Sequence, residues 1–245
     1  RLTQLGVLPL TLYDKGYYFL EMRSFGLVSH EPDLLLAKNY TETSLSQLTA
    51  SCLESLFGKD EEAVYPNIHL RPQDRYLGDA MRKVCGMGLA AVNLGVGSNE
   101  AKRIDGEFEH KLVVLLVERG YRVVLDRGAG ADELRRMDIL EASLVDRGLS
   151  LSRIHRGDIQ LADVMTWEGS LRAFAGLVGV TDLYVGYDSA GGHLASALGI
   201  PVITVFAGAA NRRMRERWSP WGCSTTDVIA VDSGEESDSV LRRVK

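Results

Sequence analysis

The sequence predicts an α/β fold over its C-terminal two-thirds: a parallel sheet with helices on both faces. From about Ala90 onward, short β-like runs alternate with amphipathic helical stretches. The strand cores (VVL, LYVGY, VITVF) are nearly unbroken apolar runs, as strands buried on both faces require. Glycines stand where the first two helical stretches should stop, as helix ends favour. Strands alternating with helices imply βαβ crossovers, and those imply parallel strands.

Each element can be justified in order. Ala90–Gly97 (AAVNLGVG) reads as a strand ending in glycines. Ile104, Phe108, Leu112, Leu115 and Leu116 then recur at helical spacing up to Arg119, with Gly120 as the stop. Tyr121–Asp126 is a second strand, and Asp132–Arg147 a second helix stopped by Gly148. A further strand is expected near Ile154. Ser170 caps an Ala- and Leu-rich helix through Val178. Asp182–Tyr187 is a strand, Ser189–Leu198 a helix and Pro201–Phe206 a strand; Val228–Val231 closes the series before a C-terminal helix. Ligands bind such sheets at the carboxyl ends of the strands, so the loops after Val96, Leu125, Gly186 and Val205 are the ones to inspect.

The N-terminal part reads differently. Thr41–Phe57 has Leu45, Leu48, Cys52, Leu53 and Leu56 on one helical face, and Pro66 and Pro72 flank an extended linker. The first residue is Arg1, not Met, which suggests a fragment, the alternative being a protein without a full N-terminal domain. Composition excludes several function classes. With 45% hydrophobic and 25% charged residues among 245, the chain is globular rather than disordered. A net charge of −5 gives no electrostatic case for nucleic acid. Cys52, Cys85 and Cys223 are odd in number and dispersed, so neither a disulfide framework nor a zinc site is expected, and a reducing cytosolic setting fits. His30, His69, His110 and His155 lack metal-ligand spacing. No apolar run approaches the ~20 residues of a membrane span.

The most specific segment is Tyr187-Asp188-Ser189-Ala190-Gly191-Gly192-His193-Leu194-Ala195, where a buried strand turns into a helix. A helix N-terminus carries unsatisfied N–H groups and a partial positive charge, so it favours phosphate. Small residues from Ser189 to Gly192 would let a phosphate approach the backbone. Asp188 or Ser189 can cap the helix, and His193 lies one turn in. The same residues equally suit a well-capped helix packed tightly on its sheet. Partial dinucleotide fingerprints at Gly95-x-Gly97 and Gly128-x-Gly130 carry Glu100 and Glu133 at the third glycine position, which weakens a nicotinamide reading. No phosphate loop of the G-x-x-x-x-G-K-S/T type occurs. Gly186-Tyr-Asp-Ser189 has one residue too many for a nucleophile elbow. The basic run Asn211–Arg217 could meet an anionic acceptor or simply form a solvated helix face.

The segment YDSAGGHLASALGIPVITVFAG resembles the signature of glycosyltransferase family 9, the heptosyltransferase-like enzymes, with Ala190 where the family usually has glycine. Arg217-Trp218-Ser219-Pro220-Trp221-Gly222 is similar to the family's RWSPYG-like segment. Asn93–Arg103 resembles the strand and loop that present small hydroxyl residues and a lysine to the donor diphosphate, which implies that Gly97, Ser98 and Lys102 hold phosphate. Leu125–Glu133 resembles a GGPxExE loop, implying that Gly128 and Gly130 shape the nucleotide pocket, with the family's acidic residue displaced or absent. Thr166–Leu171 is similar to a G-x-x-S-L-x-E stretch facing base and ribose, which brings in Ser170 and Leu171, although Ser170 also reads as a plain helix cap.

The resemblance covers roughly Ala90–Asp232. It implies a Rossmann-like domain of the GT-B type, with residues 1–80 a remnant of the N-terminal acceptor domain plus linker and 81–245 the C-terminal sugar-nucleotide-binding domain. It implies inverting transfer from a nucleotide-diphosphate sugar, as donor substrate, to a glycan or lipid-linked acceptor, without metal or other cofactor. The donor phosphate would sit on Asp188, Ser189, Ala190, Gly191, Gly192 and His193. A cytoplasmic protein, in peripheral contact with the inner face of the membrane, is the corresponding location. No catalytic base can be assigned, because nothing in residues 1–80 resembles the family's glycine-rich first strand and aspartate. Two other readings stay open: a non-catalytic nucleotide-sugar-binding module, and a nucleotide-dependent oxidoreductase on a similar sheet.

Overall fold

A computed structural model describes residues 44, 46–47, 50, 65–97, 99–104, 106–155, 158–209 and 211–244. The chain divides at Tyr65/Pro66, and every numbered element below belongs to the second unit. Of the expected helix Thr41–Phe57, Ser46, Gln47 and Ala50 are helical, and Ser44 and Gln47 exchange reciprocal side-chain-to-backbone bonds of 3.2 and 2.9 Å, a capping box at its start. The rest of that helix lies outside the described residues.

The second unit opens with α1 (Pro72–Cys85). Then follow β1 (Leu89–Asn93), a short 3-10 turn (Glu100–Lys102), α2 (Phe108–Glu118), β2 (Arg122–Asp126) and α3 (Ala131–Asp146). β3 (Leu151–Arg153), β4 (Val164–Trp167), α4 (Leu171–Val178), β5 (Leu183–Tyr187) and α5 (Ala190–Ala197) come next. β6 (Val202–Phe206), α6 (Arg212–Trp218), β7 (Thr226–Ala230) and α7 (Ser237–Arg243) complete it. All seven strands are parallel, in the order β3-β4-β2-β1-β5-β6-β7.

Strand alternation divides the core between two faces. Ala90, Val92, Val123, Leu125, Val185 and Val205 pack under Phe108 and Leu112 of α2, Met137 and Leu140 of α3 and Val240 of α7. Leu89, Ala91, Val124, Met165, Tyr184 and Val202 pack under α1 (Leu77, Met81, Cys85), α4 (Phe174, Leu177) and α5 (Ala195). The chain thus adopts the Rossmann-like sheet, covered on both faces, that its apolar strand runs predict. α1 and α4 cross closely, because a Cβ at Gly78 would overlap the Gly176 carbonyl and one at Gly176 would overlap that of Asp74. The start of β1 is fixed by Asp182, which takes Arg82 at 2.8 Å and accepts from the Gly88 and Leu89 N–H groups, each at 2.8 Å.

Several boundaries differ from expectation for physical reasons. The unit begins at Pro66 rather than 81, because α1 buries Leu77, Met81 and Cys85 against the sheet and belongs to it. The strand expected over Ala90–Gly97 leaves the sheet after Asn93, and Gly97 turns at φ 60°. β4 was not expected at all. The basic run forms α6, capped by Asn211, whose side chain accepts from Met214 N–H at 2.8 Å. Among the described residues no helix is long and apolar enough to cross a membrane.

Candidate functional site

The neighbours of β1 are β2 on one side and β5 on the other, so the strand order reverses there and leaves a crevice at the carboxyl ends. An open pocket of about 430 Å³ occupies that crevice. Its wall is drawn from the ends of β1 (Asn93, Gly95, Val96, Gly97), β2 (Asp126, Gly128, Ala129), β4 (Gly169) and β5 (Asp188, Ser189), together with Lys102 and the first residues of α3, α4 and α5.

Lys102 reaches the pocket from the 3-10 turn. Its ammonium donates to the Asp188 carboxylate at 2.6 Å and to the Asp188 carbonyl at 3.0 Å, which joins the β1 and β5 loops. The buried Asp188 carboxylate is engaged by the lysine and forms no cap bond to α5; it orients the lysine. Ser189 occupies the N-cap position of α5 in extended conformation without a side-chain cap bond. Its hydroxyl donates instead to Asn93 Oδ1 at 3.4 Å. The expectation that Asp188 or Ser189 caps the helix is therefore not met, and the first N–H groups of α5 carry no side-chain cap. α3 likewise starts at Gly130 with no side-chain cap, whereas Ser170 does cap α4, accepting from Ala173 N–H at 3.3 Å.

A second line of polar groups crosses the strand ends. Asn93 Nδ2 donates to Asp126 at 2.6 Å, while Asn93 Oδ1 also accepts from Gly95 N–H at 3.1 Å. The other Asp126 oxygen accepts from Gly128 N–H at 3.2 Å. Burial pushes the Asp126 carboxyl above the usual carboxylate range; the Gly128 and Asn93 hydrogen bonds oppose this, and the Glu133 charge adds to it. Glu133 accepts from Ala129 N–H at 3.2 Å and lines the pocket. Burial holds the His193 imidazole below its ordinary pKa; Asp188 pulls it up and Lys102 pushes it down. His193 thus lies within the field of that ion pair.

Behind the loop after β2, Arg127 is buried and paired with Glu141, with Asp138 at 2.6 Å and with Glu168 at 3.2 Å. It ties α3 to the end of β4 and thereby fixes the wall that carries Gly128 and Glu133.

The structure brings together Gly97, Lys102, Gly128, Leu171, Asp188, Ser189, Ala190 and Gly191 in one pocket wall. Gly130, Gly192 and His193 stand beside that wall rather than in it, and Ser170 lines a neighbouring hollow with Trp167 and Arg172. Ser98 lies outside the described residues. Gly191 and Gly192 have a reason unrelated to ligand approach. A Cβ on Gly191 would overlap the Tyr184 hydroxyl, and one on Gly192 would press on Pro220 and Thr204. Sequence reasoning passed over Asn93, Asp126 and Glu133. Their signal is position: Asn93 and Asp126 are the last residues of their strands, and Glu133 lies in the first turn of a helix at the same edge of the sheet.

Comparison with known proteins accords with this geometry. The model of glycosyltransferase family 9 (heptosyltransferase) matches residues 73–241. Lipopolysaccharide heptosyltransferase 3 of Escherichia coli (strain K12) is 32% identical over 132 residues, which cover 53% of this chain and 32% of that protein. E. coli ADP-heptose lps heptosyltransferase II superposes with a TM-score of 0.57 at 16% identity, over 84% of this chain and 62% of the other. E. coli heptosyltransferase WaaC with ADP gives 0.56 at 18% identity, over 83% and 56%. The chain thus spans only part of each relative, and the structural likenesses speak for the fold alone. With the family model matched from α1 to α7, over well more than half of its length, the chain belongs to glycosyltransferase family 9.

Proposed function

We propose that Pro66–Lys245 is the donor-binding domain of a heptosyltransferase-like glycosyltransferase, and that the pocket at the β1/β5 switch point holds the diphosphate of a nucleotide-diphosphate sugar. The observation that carries this reading is Lys102, braced by Asp188 at the mouth of α5. An ammonium held at 2.6 Å by a buried carboxylate keeps its position without a ligand, and with its second N–H on the Asp188 carbonyl it retains one N–H donor for a ligand. The uncapped start of α5 lies in the same wall and supplies backbone donors and the positive end of its dipole.

In the reaction, an acceptor hydroxyl oxygen attacks the anomeric carbon and gives up its proton to a general base, while the bond to the diphosphate oxygen breaks, with inversion. Negative charge grows on the leaving diphosphate, and donors already aimed at it act most strongly in the transition state. Lys102 and the α5 N–H groups are placed for that task, and we infer that they serve without a metal ion. The acceptor is a glycan or lipid-linked glycan, a reading supported by the name of the E. coli lipopolysaccharide relative.

Calorimetric titration with ADP-, UDP- and GDP-sugars in the presence of EDTA tests this. At least one should bind, and Lys102→Ala should weaken it about 10- to 100-fold, the worth of a charge-assisted hydrogen bond of roughly 1.5–3 kcal/mol. Equal affinity in wild type and Lys102→Ala would remove the phosphate from this site. Release of nucleotide in the presence of acceptor separates a transferase from a module that only binds.

A further inference from the structure

Lys102, Asp126, Glu133 and Asp188 all line the donor pocket. Three of them are carboxylates, and the one ammonium is already engaged by Asp188. Among the described residues, neither Asp126 nor Glu133 forms an ion pair. The groups that face Asp126 are mostly neutral: the Asn93 amide from β1 at 2.6 Å, the Gly128 N–H at 3.2 Å, Trp167 beside it in register on β4, and Tyr184 from β5. The charged group acting on it from α3 is Glu133, which repels. Asp182, elsewhere in the same domain, shows the contrast, with Arg82 at 2.8 Å. A diphosphate entering this pocket therefore adds negative charge beside a carboxylate that has no counter-ion.

We propose that binding of a nucleotide-diphosphate sugar is coupled to uptake of one proton by Asp126, so that the donor rests against a neutral carboxyl group. This rests on the donor-pocket reading above. The proton comes from solvent to a carboxylate oxygen of Asp126, and no bond of the donor changes. Each oxygen of Asp126 uses one acceptor position, for Asn93 or for Gly128. The protonated group therefore keeps both bonds and gains an O–H that can donate into the pocket. Burial already biases the free protein in this direction, and the arriving anion pushes further. His193 is the competing proton acceptor, since it lies in the field of Lys102 and Asp188.

Titration calorimetry with ADP-heptose, in buffers of differing ionisation enthalpy from about pH 6 to about pH 8, counts protons taken up per donor bound. The diphosphate diester of this probe does not itself titrate near neutrality. Wild type should approach one proton, with affinity falling up to about ten-fold per pH unit as pH rises. Asp126→Asn should abolish both effects, His193→Gln should leave the uptake in place, and Glu133→Gln should move it to lower pH. If Asp126→Asn does not fold, the Glu133→Gln displacement carries the test. Donor binding without proton uptake in wild type overturns the inference alone, as does uptake that survives Asp126→Asn and vanishes in His193→Gln. Failure of ADP-heptose and of UDP- and GDP-sugars to bind at any pH would overturn the donor-pocket reading and this inference together.

Discussion

Gly191 carries two explanations that a single substitution can separate. At the mouth of α5 a missing side chain would admit a phosphate, yet the same vacancy receives the buried Tyr184 hydroxyl from β5. Overpacking of this kind costs about 1–3 kcal/mol, so Gly191→Ala should lower the denaturation midpoint accordingly. In a Tyr184→Phe background, where the hydroxyl is gone, the cost should drop by about 1 kcal/mol or more, a coupling that a double-mutant cycle measures directly. A coupling near zero would return Gly191 to the ligand alone. At this scale the sequence was legible where chemistry is local: Asp188, Ser189 and Lys102 stood in a recognisable order, and Ser170 read as the cap it is. Asn93 and Asp126 were not legible as a pair. They lie 33 positions apart, and only the adjacency of β1 and β2 brings an amide to a carboxylate.

Among the elements, α1 and α4 depend on two glycines facing each other across their crossing. Either Gly78→Ala or Gly176→Ala puts a methyl group into the partner helix backbone, and the helices must move apart. Each should cost stability toward the upper end of roughly 1–3 kcal/mol in urea titrations. The double substitution should cost clearly less than the two added, because helices already displaced leave less to disrupt. Additive costs would mean that the two positions do not share one contact. Strands β2, β5 and β6 announced themselves through continuous apolar runs bounded by turn residues. β4 did not: VMTW is four residues long and follows a stretch without periodicity, so a buried strand there looks like loop. α1 escaped notice because its apolar stripe is narrow, with Leu77, Met81 and Cys85 set among charged residues, and Pro72 suggests a linker although proline suits the first turn of a helix.

The molecule as a whole answers to pH through carboxylates paired across the fold. The Asp182 carboxyl is held below its usual range, chiefly by the Arg82 hydrogen bond, with the Leu89 and Gly88 N–H groups helping and burial opposing. A carboxylate depressed in the folded state contributes stability that is fully present above its unfolded value, about 3.9, and that is lost as pH falls through the lower folded value. Asp182→Asn should therefore lower the thermal midpoint at pH 7, and the gap from wild type should narrow once pH falls below about 4. A gap that stays constant with pH would show that the side-chain charge plays no part in the clamp.

The strand order has a consequence for how such a chain comes into being. Lys102 and Asp188 are 86 positions apart, and the crevice between them exists only after β5 has slid in beside β1. A polypeptide emerging N-terminus first has most of its sheet residues available before it has the mouth proposed to hold an anion. Whatever ligand occupies that mouth thus recognises finished molecules and ignores partial ones. At a hundred times its dissociation constant it would favour the finished state by about 2.7 kcal/mol. A cell that keeps the ligand abundant would, in effect, be proofreading the closure of the sheet.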